Sequence, residues 1–480
     1  MAVFTEAMSS SRCIFAILSR NYKFTAPQSC TSVRNIHSTL NDNSENYDII
    51  VTGGGLVGTT LACALANNKI LKSKSILLLE GGNKHEYKPS EQYSNRVVAL
   101  NQLSRTLLSS IGAWKHVSEI RYAPVRKMQV WDSCSDAMIT FNEDYLSDEI
   151  AYIVENDLLL YAVNKQLEEK NSVRVIYNAK VENISLPETS GENAIVILQN
   201  GGNFGTKLLI GADGINSRVR QAMGVQHVKW SYNQMGIVGT VELSEPTENI
   251  VAWQRFLPTG PIALLPLTES LSSLVWSTST DEAKKLLKLS DEAFVDNLNE
   301  ALWKVYPKDG TVESGMKALQ QILKNLQLET GVSRQLQPSI SGIVEESRAA
   351  FPLGFAHSVY YVKPGVALVG DAAHRVHPLG GQGLNLGLGD VMVLVQMLAD
   401  AAKNGALPGD MTYLKKYETA RQRHNVPTML AMDALHRLYK GTAAPIVLAR
   451  SLGLQLTNAI SPLKRAIFHH ASDDDNNLCQ

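Results

Sequence analysis

A short stretch near the start of the 480-residue chain restricts its fold more than any other. Tyr47-Asp48-Ile49-Ile50-Val51-Thr52 reads as a buried strand, and Gly53-Gly54-Gly55-Leu56-Val57-Gly58 follows it directly. The run from Thr59 to Asn67 then has helical spacing. Strand, GxGxxG and helix in this order open a dinucleotide-binding unit. Gly53 permits the tight turn, Gly55 lets a pyrophosphate approach the backbone, and Gly58 lets helix and strand pack closely. The helix N-terminus adds free N–H groups and a positive dipole end. A second strand, Ser75 to Leu79, ends in Glu80, whose carboxylate suits a ribose 2′-hydroxyl. Glu80 lies slightly beyond the usual interval of about 20 residues, which implies a longer helix-to-strand connection. An acid there disfavours a 2′-phosphate and suits the adenosine of FAD or NAD.

Composition narrows what else the chain can be. With 45 Lys+Arg against 46 Asp+Glu the formal net charge is −1, so the totals imply no basic surface for nucleic acid. Five scattered cysteines without a CxxC pair give neither a disulfide framework nor a metal site. The longest apolar runs, such as Pro261 to Leu267, fall far short of the roughly 20 residues a spanning helix needs. Residues 1–40 carry Arg12, Arg20, Lys23 and Arg34 against the single acid Glu6, amid many Ser and Thr. That is the pattern of a mitochondrial transit peptide, with Arg34-Asn35-Ile36-His37-Ser38 as its cleavage region.

Two later segments choose the cofactor. Gly211-Ala212-Asp213-Gly214-Ile215-Asn216-Ser217-Arg218-Val219-Arg220 follows the strand Lys207 to Ile210. Gly370-Asp371-Ala372-Ala373-His374 follows the strand Val366 to Val369, and His377-Pro378 and Gly380-Gly381-Gln382-Gly383-Leu384-Asn385 come soon after. GxGxxG, GADGxxSxxR and GDAAHxxxPxxGQGxN in this order resemble the single-component aromatic flavoprotein monooxygenases of the para-hydroxybenzoate hydroxylase class. The segments Trp253 to Pro266, Ala350 to Leu353, Arg375 to Pro378 and Tyr417 to Asn425 are similar to those of the mitochondrial ubiquinone-biosynthesis hydroxylases within it. The likeness runs from Tyr47 to about His470.

The resemblance implies FAD as cofactor, held by Gly53, Gly55, Gly58, Glu80, Arg96, Asp213, Arg220, Asp371, Gly381, Gln382, Gly383, Leu384 and Asn385. Asp371 would hold a ribityl hydroxyl. Asp213, Arg220 and Arg96 would lie beside the pyrophosphate, and Gly380 to Gly383 along the isoalloxazine edge. A helix beginning near Leu384 would aim its N-terminus at the ring and favour negative charge on the reduced flavin. The resemblance further implies C5 hydroxylation of a 4-hydroxy-3-polyprenylbenzoate by O₂ through a flavin C4a-hydroperoxide, in a mitochondrial matrix enzyme peripheral on the inner membrane. Ferredoxin and its reductase would supply electrons, and other coenzyme Q biosynthesis proteins would be partners in a complex. A single GxGxxG agrees with that donor without deciding it. Hydroxylation at another ring position, as on a 2-methoxy-6-polyprenylphenol, and isoprenoid epoxidation or reduction remain open.

The expected architecture is α/β: a Rossmann-like FAD-binding domain interleaved with a β-sheet substrate domain, plus a helical C-terminal region. The FAD-binding domain takes residues 47–115, 145–224 and 350–405, with one amphipathic helix from Tyr152 to Glu169. The substrate domain takes 116–144 and 225–349, with a meander Val251 to Leu257, Ile262 to Leu267 and Ser272 to Ser279, and a helical excursion from Asp281 to Leu328. Residues 406–472 form the helical region and 473–480 a solvated tail. No general base can be named. His377 is a candidate for steering protons, or is structural. Arg255 either pairs with a substrate carboxylate or faces away, because strand alternation sends neighbours to opposite faces. Pro445 to Leu463 reads as an amphipathic helix that docks on the protein or lies at a bilayer surface.

Overall fold

The computed structural model describes residues 44–460, without 85, 136, 143–148, 190 and 327–334, together with 462 and 464. The expected leader, residues 1–40, and the tail, residues 473–480, lie outside the described residues.

The first strand, Glu45–Thr52, is central in an eight-stranded sheet. It pairs in parallel with Asn203–Gly211 on one side and Ile76–Leu79 on the other. Val173–Ile176 and Val366–Leu368 extend the two edges, also in parallel. Ile49 to Val51, Leu77 and Leu208 to Ile210 are fully buried, as expected of parallel strands covered on both faces. Helix Leu56–Asn67 packs against helices Asn156–Glu168 and Gln382–Lys403.

Strands Val97–Leu100, Ala123–Val125 and Ala151–Glu155 form a small third sheet. Here the sequence reading of one helix over Tyr152 to Glu169 is corrected: Ala151–Glu155 is a strand and the helix is Asn156–Glu168. Aromatic and β-branched Tyr152, Ile153 and Val154 suit a buried ladder better than a first helical turn. The Glu155 carboxylate accepts from Ser94 N and from the Arg121 guanidinium, which ties the strand end to the preceding loop.

A nine-stranded sheet forms the second body of the fold. The expected meander is present as Val251–Leu257, Gly260–Pro266 and Leu271–Ser279, with a tight turn at Pro258-Thr259. The 17-residue strand His227–Leu243 pairs with Leu271–Ser279 along one edge. Its other edge is longer than one partner can cover, so Ala349–Ser358 and Ile340–Ile343 share it. Residues 350–358, read from sequence as part of the FAD-binding domain, therefore pair within the second sheet. The chain returns to the first sheet only at Val362–Lys363.

The two faces of this second sheet have different neighbours. Trp131, Trp253, Leu264 and Trp276 pack on the helical excursion, against Phe294 and Leu298 of helix Asp291–Trp303. Val130, Ile139 and Phe256 face the other way and meet Leu379, in the Pro378–Gly380 turn, and Tyr439 of the long helix Met411–Lys440. The last helix, Ala444–Ala459, is docked rather than free. Arg450 is buried and makes a bidentate pair with Asp132, Nε–Oδ2 2.7 Å and Nη2–Oδ1 3.0 Å. Its Nη1 donates to the carbonyls of Leu438, Tyr439 and Gly441.

Candidate functional site

The GxGxxG turn is built by close packing on one side and space on the other. Gly53 has φ +100°, and a Cβ there would lie 2.4 Å from Ala212 O, so the first turn sits directly on the GADG segment. A Cβ on Gly58 would lie 1.9 Å from Gly53 O. Gly55, by contrast, has nothing within 4 Å of its Cβ position and caps the helix without a side-chain hydrogen bond. Gly53, Gly54 and Gly58 are thus closely packed, a Cβ on Gly54 lying 2.8 Å from Glu80 Cβ, while the backbone at Gly55 and the helix N-terminus stay open to a phosphate. The Glu80 carboxylate is tied to this turn: Oε2 accepts from Gly54 N at 2.5 Å and Oε1 from Gly82 N at 2.7 Å. A carboxylate has about four lone-pair sites, so capacity for a ribose hydroxyl remains.

The other two motifs converge on the same turn. Cβ positions on Gly370 and Gly387 would lie 3.2 Å and 2.8 Å from Val57 side-chain atoms, which places the GDAA segment and the third-motif helix against the first. Gly381, with φ +61°, caps helix Gln382–Lys403, so the helix starts at Gln382, slightly before Leu384. Gly383 has open space at its Cβ position, as do Gly55 and Gly214. Asp371 is exposed, yet the surrounding walls desolvate its carboxyl enough to raise its pKa above the ordinary value. Arg96 is exposed just before strand Val97–Leu100. Three open glycines, two helix N-termini and two accessible carboxylates fit an elongated molecule with a diphosphate, a ribose and a polyol chain.

Three of the motif residues work through the protein rather than into this space. Arg220 is buried and donates to Ala372 O at 2.7 Å and Ile215 O at 2.5 Å. The guanidinium, expected beside the pyrophosphate, spans the second and third motifs. Asp213 Oδ2 accepts from Arg218 N and Val219 N, and Oδ1 is buried without a hydrogen-bond partner among the described residues. Asn385 is buried and fully engaged, accepting from Asn101 N and Ser104 Oγ and donating to Ala99 O and Gly381 O. Its side chain anchors the helix start to the neighbouring strand, which leaves only its backbone for a ligand.

Of the two alternatives for Arg255, the structure has the one that faces away. Its guanidinium donates to Ala301 O and Leu302 O at the end of helix Asp291–Trp303 and to Lys304 O just beyond it. Strand alternation puts Arg255 on the sheet face away from Leu379, where a cation offsets the negative helix end. His377 is fully buried beside the Pro378–Gly380 turn, and neither ring nitrogen has a hydrogen-bond partner among the described residues. Its ring lies edge-on to Tyr232 at 5.0 Å and stacks on His436 at 4.8 Å. Burial, then the neighbouring His436, pushes its pKa down to about 3, so it is neutral and a weak proton acceptor at physiological pH. Tyr232 donates to Asp433, 201 positions away, and Phe256 stacks on Tyr439 at 3.7 Å. No spacing rule could have joined these groups, because the long C-terminal helix brings them together.

An open, mainly parallel sheet carrying three convergent glycine-rich segments, covered by a second sheet, defines an FAD-binding oxidoreductase. Comparison with known proteins agrees. The FAD binding domain family matches residues 46–320 and 346–431. The ubiquinone biosynthesis monooxygenase COQ6, mitochondrial, of Danio rerio is 50% identical over 445 residues, 91% of this chain and 92% of the relative. Its Homo sapiens counterpart is 50% identical over 433 residues, 89% of this chain and 92% of the relative. Among solved structures, p-nitrophenol 4-monooxygenase PnpA from Pseudomonas putida DLL-E4 superposes with TM-score 0.64 at 16% identity, covering 89% of this chain and 99% of that one. The probable FAD-dependent monooxygenase pqsL from Pseudomonas aeruginosa gives 0.61 at 19%, covering 85% and 100%. The two solved structures support the fold alone. The chain belongs to the mitochondrial ubiquinone biosynthesis monooxygenases: it is an FAD-dependent enzyme of that pathway.

Proposed function

We propose that the enzyme hydroxylates the C5 position of a 4-hydroxy-3-polyprenylbenzoate. The observation that carries this reading is the 50% identity to ubiquinone biosynthesis monooxygenases over nearly the whole chain, joined to the apolar sheet face at Val130, Ile139 and Phe256 above Leu379. Phenol, O₂, two electrons and two protons become a catechol and water. FAD, when bound, supplies the two-electron reduction of O₂ and an oxygen electrophilic enough to attack the ring.

The chain's own groups do the rest. Glu80 would hold the ribose, the backbone at Gly55 and Arg96 the pyrophosphate, and Asp371 the ribityl chain. The backbone of Gly381, Gln382, Gly383 and Leu384 would meet the ring system. The apolar face keeps water from the reacting oxygen, which limits its loss as peroxide. His377, buried and neutral between Tyr232 and His436, is not the base.

Electrons come from ferredoxin and its reductase in this reading, consistent with a single GxGxxG in the chain. The protein works on the matrix side of the inner membrane, peripherally, with other coenzyme Q biosynthesis proteins. Leu435, Leu438, Ile446, Leu456 and Ile460, exposed on the last two helices and just beyond them, suit such contacts. Helix Gln382–Lys403 is long and apolar enough to cross a bilayer, but two thirds of its apolar window is buried in the protein. Cells lacking the protein test the ring position. The accumulated intermediate should carry hydrogen at C5; an intermediate already oxygenated there would assign the enzyme to another position.

A further inference from the structure

One buried carboxylate that no flavin motif accounts for holds the flavin-bearing segments together. Asp390, on helix Gln382–Lys403, is fully buried. Its Oδ2 accepts from Gly370 N at 2.9 Å and pairs with His374 Nε2 at 2.6 Å, at both ends of the GDAAH segment. Its Oδ1 accepts from Arg421 Nε at 2.8 Å and Asn425 Nδ2 at 3.1 Å, both on the C-terminal helix Met411–Lys440. Arg421 Nη2 also donates to Leu386 O at 3.0 Å and Asn425 Oδ1 at 2.8 Å. The helix is shaped for this guanidinium: a Cβ on Gly389 would lie 2.6 Å from Arg421 Nη2.

The arrangement fixes a distance. In the proposed FAD site, Asp371, whose neighbour Gly370 has φ +58°, and the Gly381–Asn385 helix start would meet different parts of one FAD molecule. Both segments are referred to the same carboxylate, and that carboxylate is held charged against its burial by His374 and by Arg421, the latter more than 30 residues away. A buried carboxylate that loses its guanidinium partner would neutralise or turn toward its remaining donors. Gly370 N would then lose its acceptor, and Asp371 would shift relative to the helix.

We propose that Arg421 is a positioning residue for FAD, acting through Asp390 to set the GDAAH segment and the third-motif helix in one binding-competent register. The test uses the full-length holoenzyme and compares Arg421→Met, which removes the cation at similar volume, with Arg421→Lys, which keeps the charge but not the fork. FAD dissociation is followed by flavin fluorescence, the environment of the bound flavin by its visible absorption, and the fold by circular dichroism. The expected result is a native fold with FAD binding at least ~10-fold weaker and a shifted flavin spectrum in Arg421→Met, and an intermediate loss in Arg421→Lys. Two results overturn the proposal. One is a folded Arg421→Met protein with FAD affinity within about twofold of the parent and an unshifted spectrum. The other is failure of both variants to fold, which would make Arg421 a support of the whole domain only.

Discussion

The flavin cradle and the region that covers it are built in opposite ways. In the cradle, short local segments supply backbone: Gly53 packs on Ala212, Gly55 and Gly383 leave open space, and Gly381 starts a helix. In the cover, side chains from distant parts of the chain meet. Arg450 pairs with Asp132, Tyr232 with Asp433, and Phe256 with Tyr439. A region made from local backbone has few ways to be altered without losing its ligand. A region made from long-range side-chain pairs fails through stability first.

Four substitutions can break this contrast, taken from the largest expected effect. Arg450→Met leaves Asp132 charged and buried without its partner, and should cost about 3–5 kcal/mol, read as a lower midpoint in urea. FAD affinity of the folded fraction should be nearly unchanged. Gly53→Ala should do the reverse: a Cβ 2.4 Å from Ala212 O, at φ +100°, forces the turn open. FAD should bind roughly 100-fold more weakly, a change of about 3 kcal/mol. Arg255→Gln removes a cation from a helix end and should cost about 2 kcal/mol of stability. Substrate KM should stay within twofold with FAD intact; a selective rise in KM would restore the carboxylate-clamp role.

The smallest effect is a pH dependence. His377 has its folded pKa lowered to about 3 from the ordinary 6.5, so between those values the unfolded chain binds the proton and the folded one does not. Its contribution to stability is therefore complete above about pH 6.5 and falls as the pH drops toward 3. From pH 7 to 5.5 the loss should be about 1 kcal/mol for this one group. His377→Leu should flatten that part of the stability curve; an unchanged slope would mean that the ring is not held neutral.

How much of this was legible in the sequence follows the same division. The strand, turn and helix from Tyr47 to Asn67 could be read because a phosphate-binding turn dictates glycine at fixed spacing, and the structure places each element there. The meander from Val251 to Ser279 was legible from alternation and its Pro-Thr-Gly-Pro turn. The direction of Arg255 was not, because alternation gives two faces without saying which one holds the flavin. Arg220 and Asn385 were legible as motif members, but not as struts, since their partners Ala372 and Ser104 lie far off in sequence. The strand at Ala151–Glu155 was read as helix because its apolar run continues into a true one. Arg421 lies in the family-like segment Tyr417 to Asn425, but nothing local marks Asp390 as its partner, 31 positions away.

In the proposed reaction the covered cradle directs oxygen from O₂ onto one ring carbon. A single turnover of the reduced holoenzyme with ¹⁸O₂ and a 4-hydroxy-3-polyprenylbenzoate tests it, with the product read by mass spectrometry and NMR. The expected product carries one ¹⁸O atom, at C5. Product oxygen drawn from water, or peroxide released beside an unchanged ring, would contradict it.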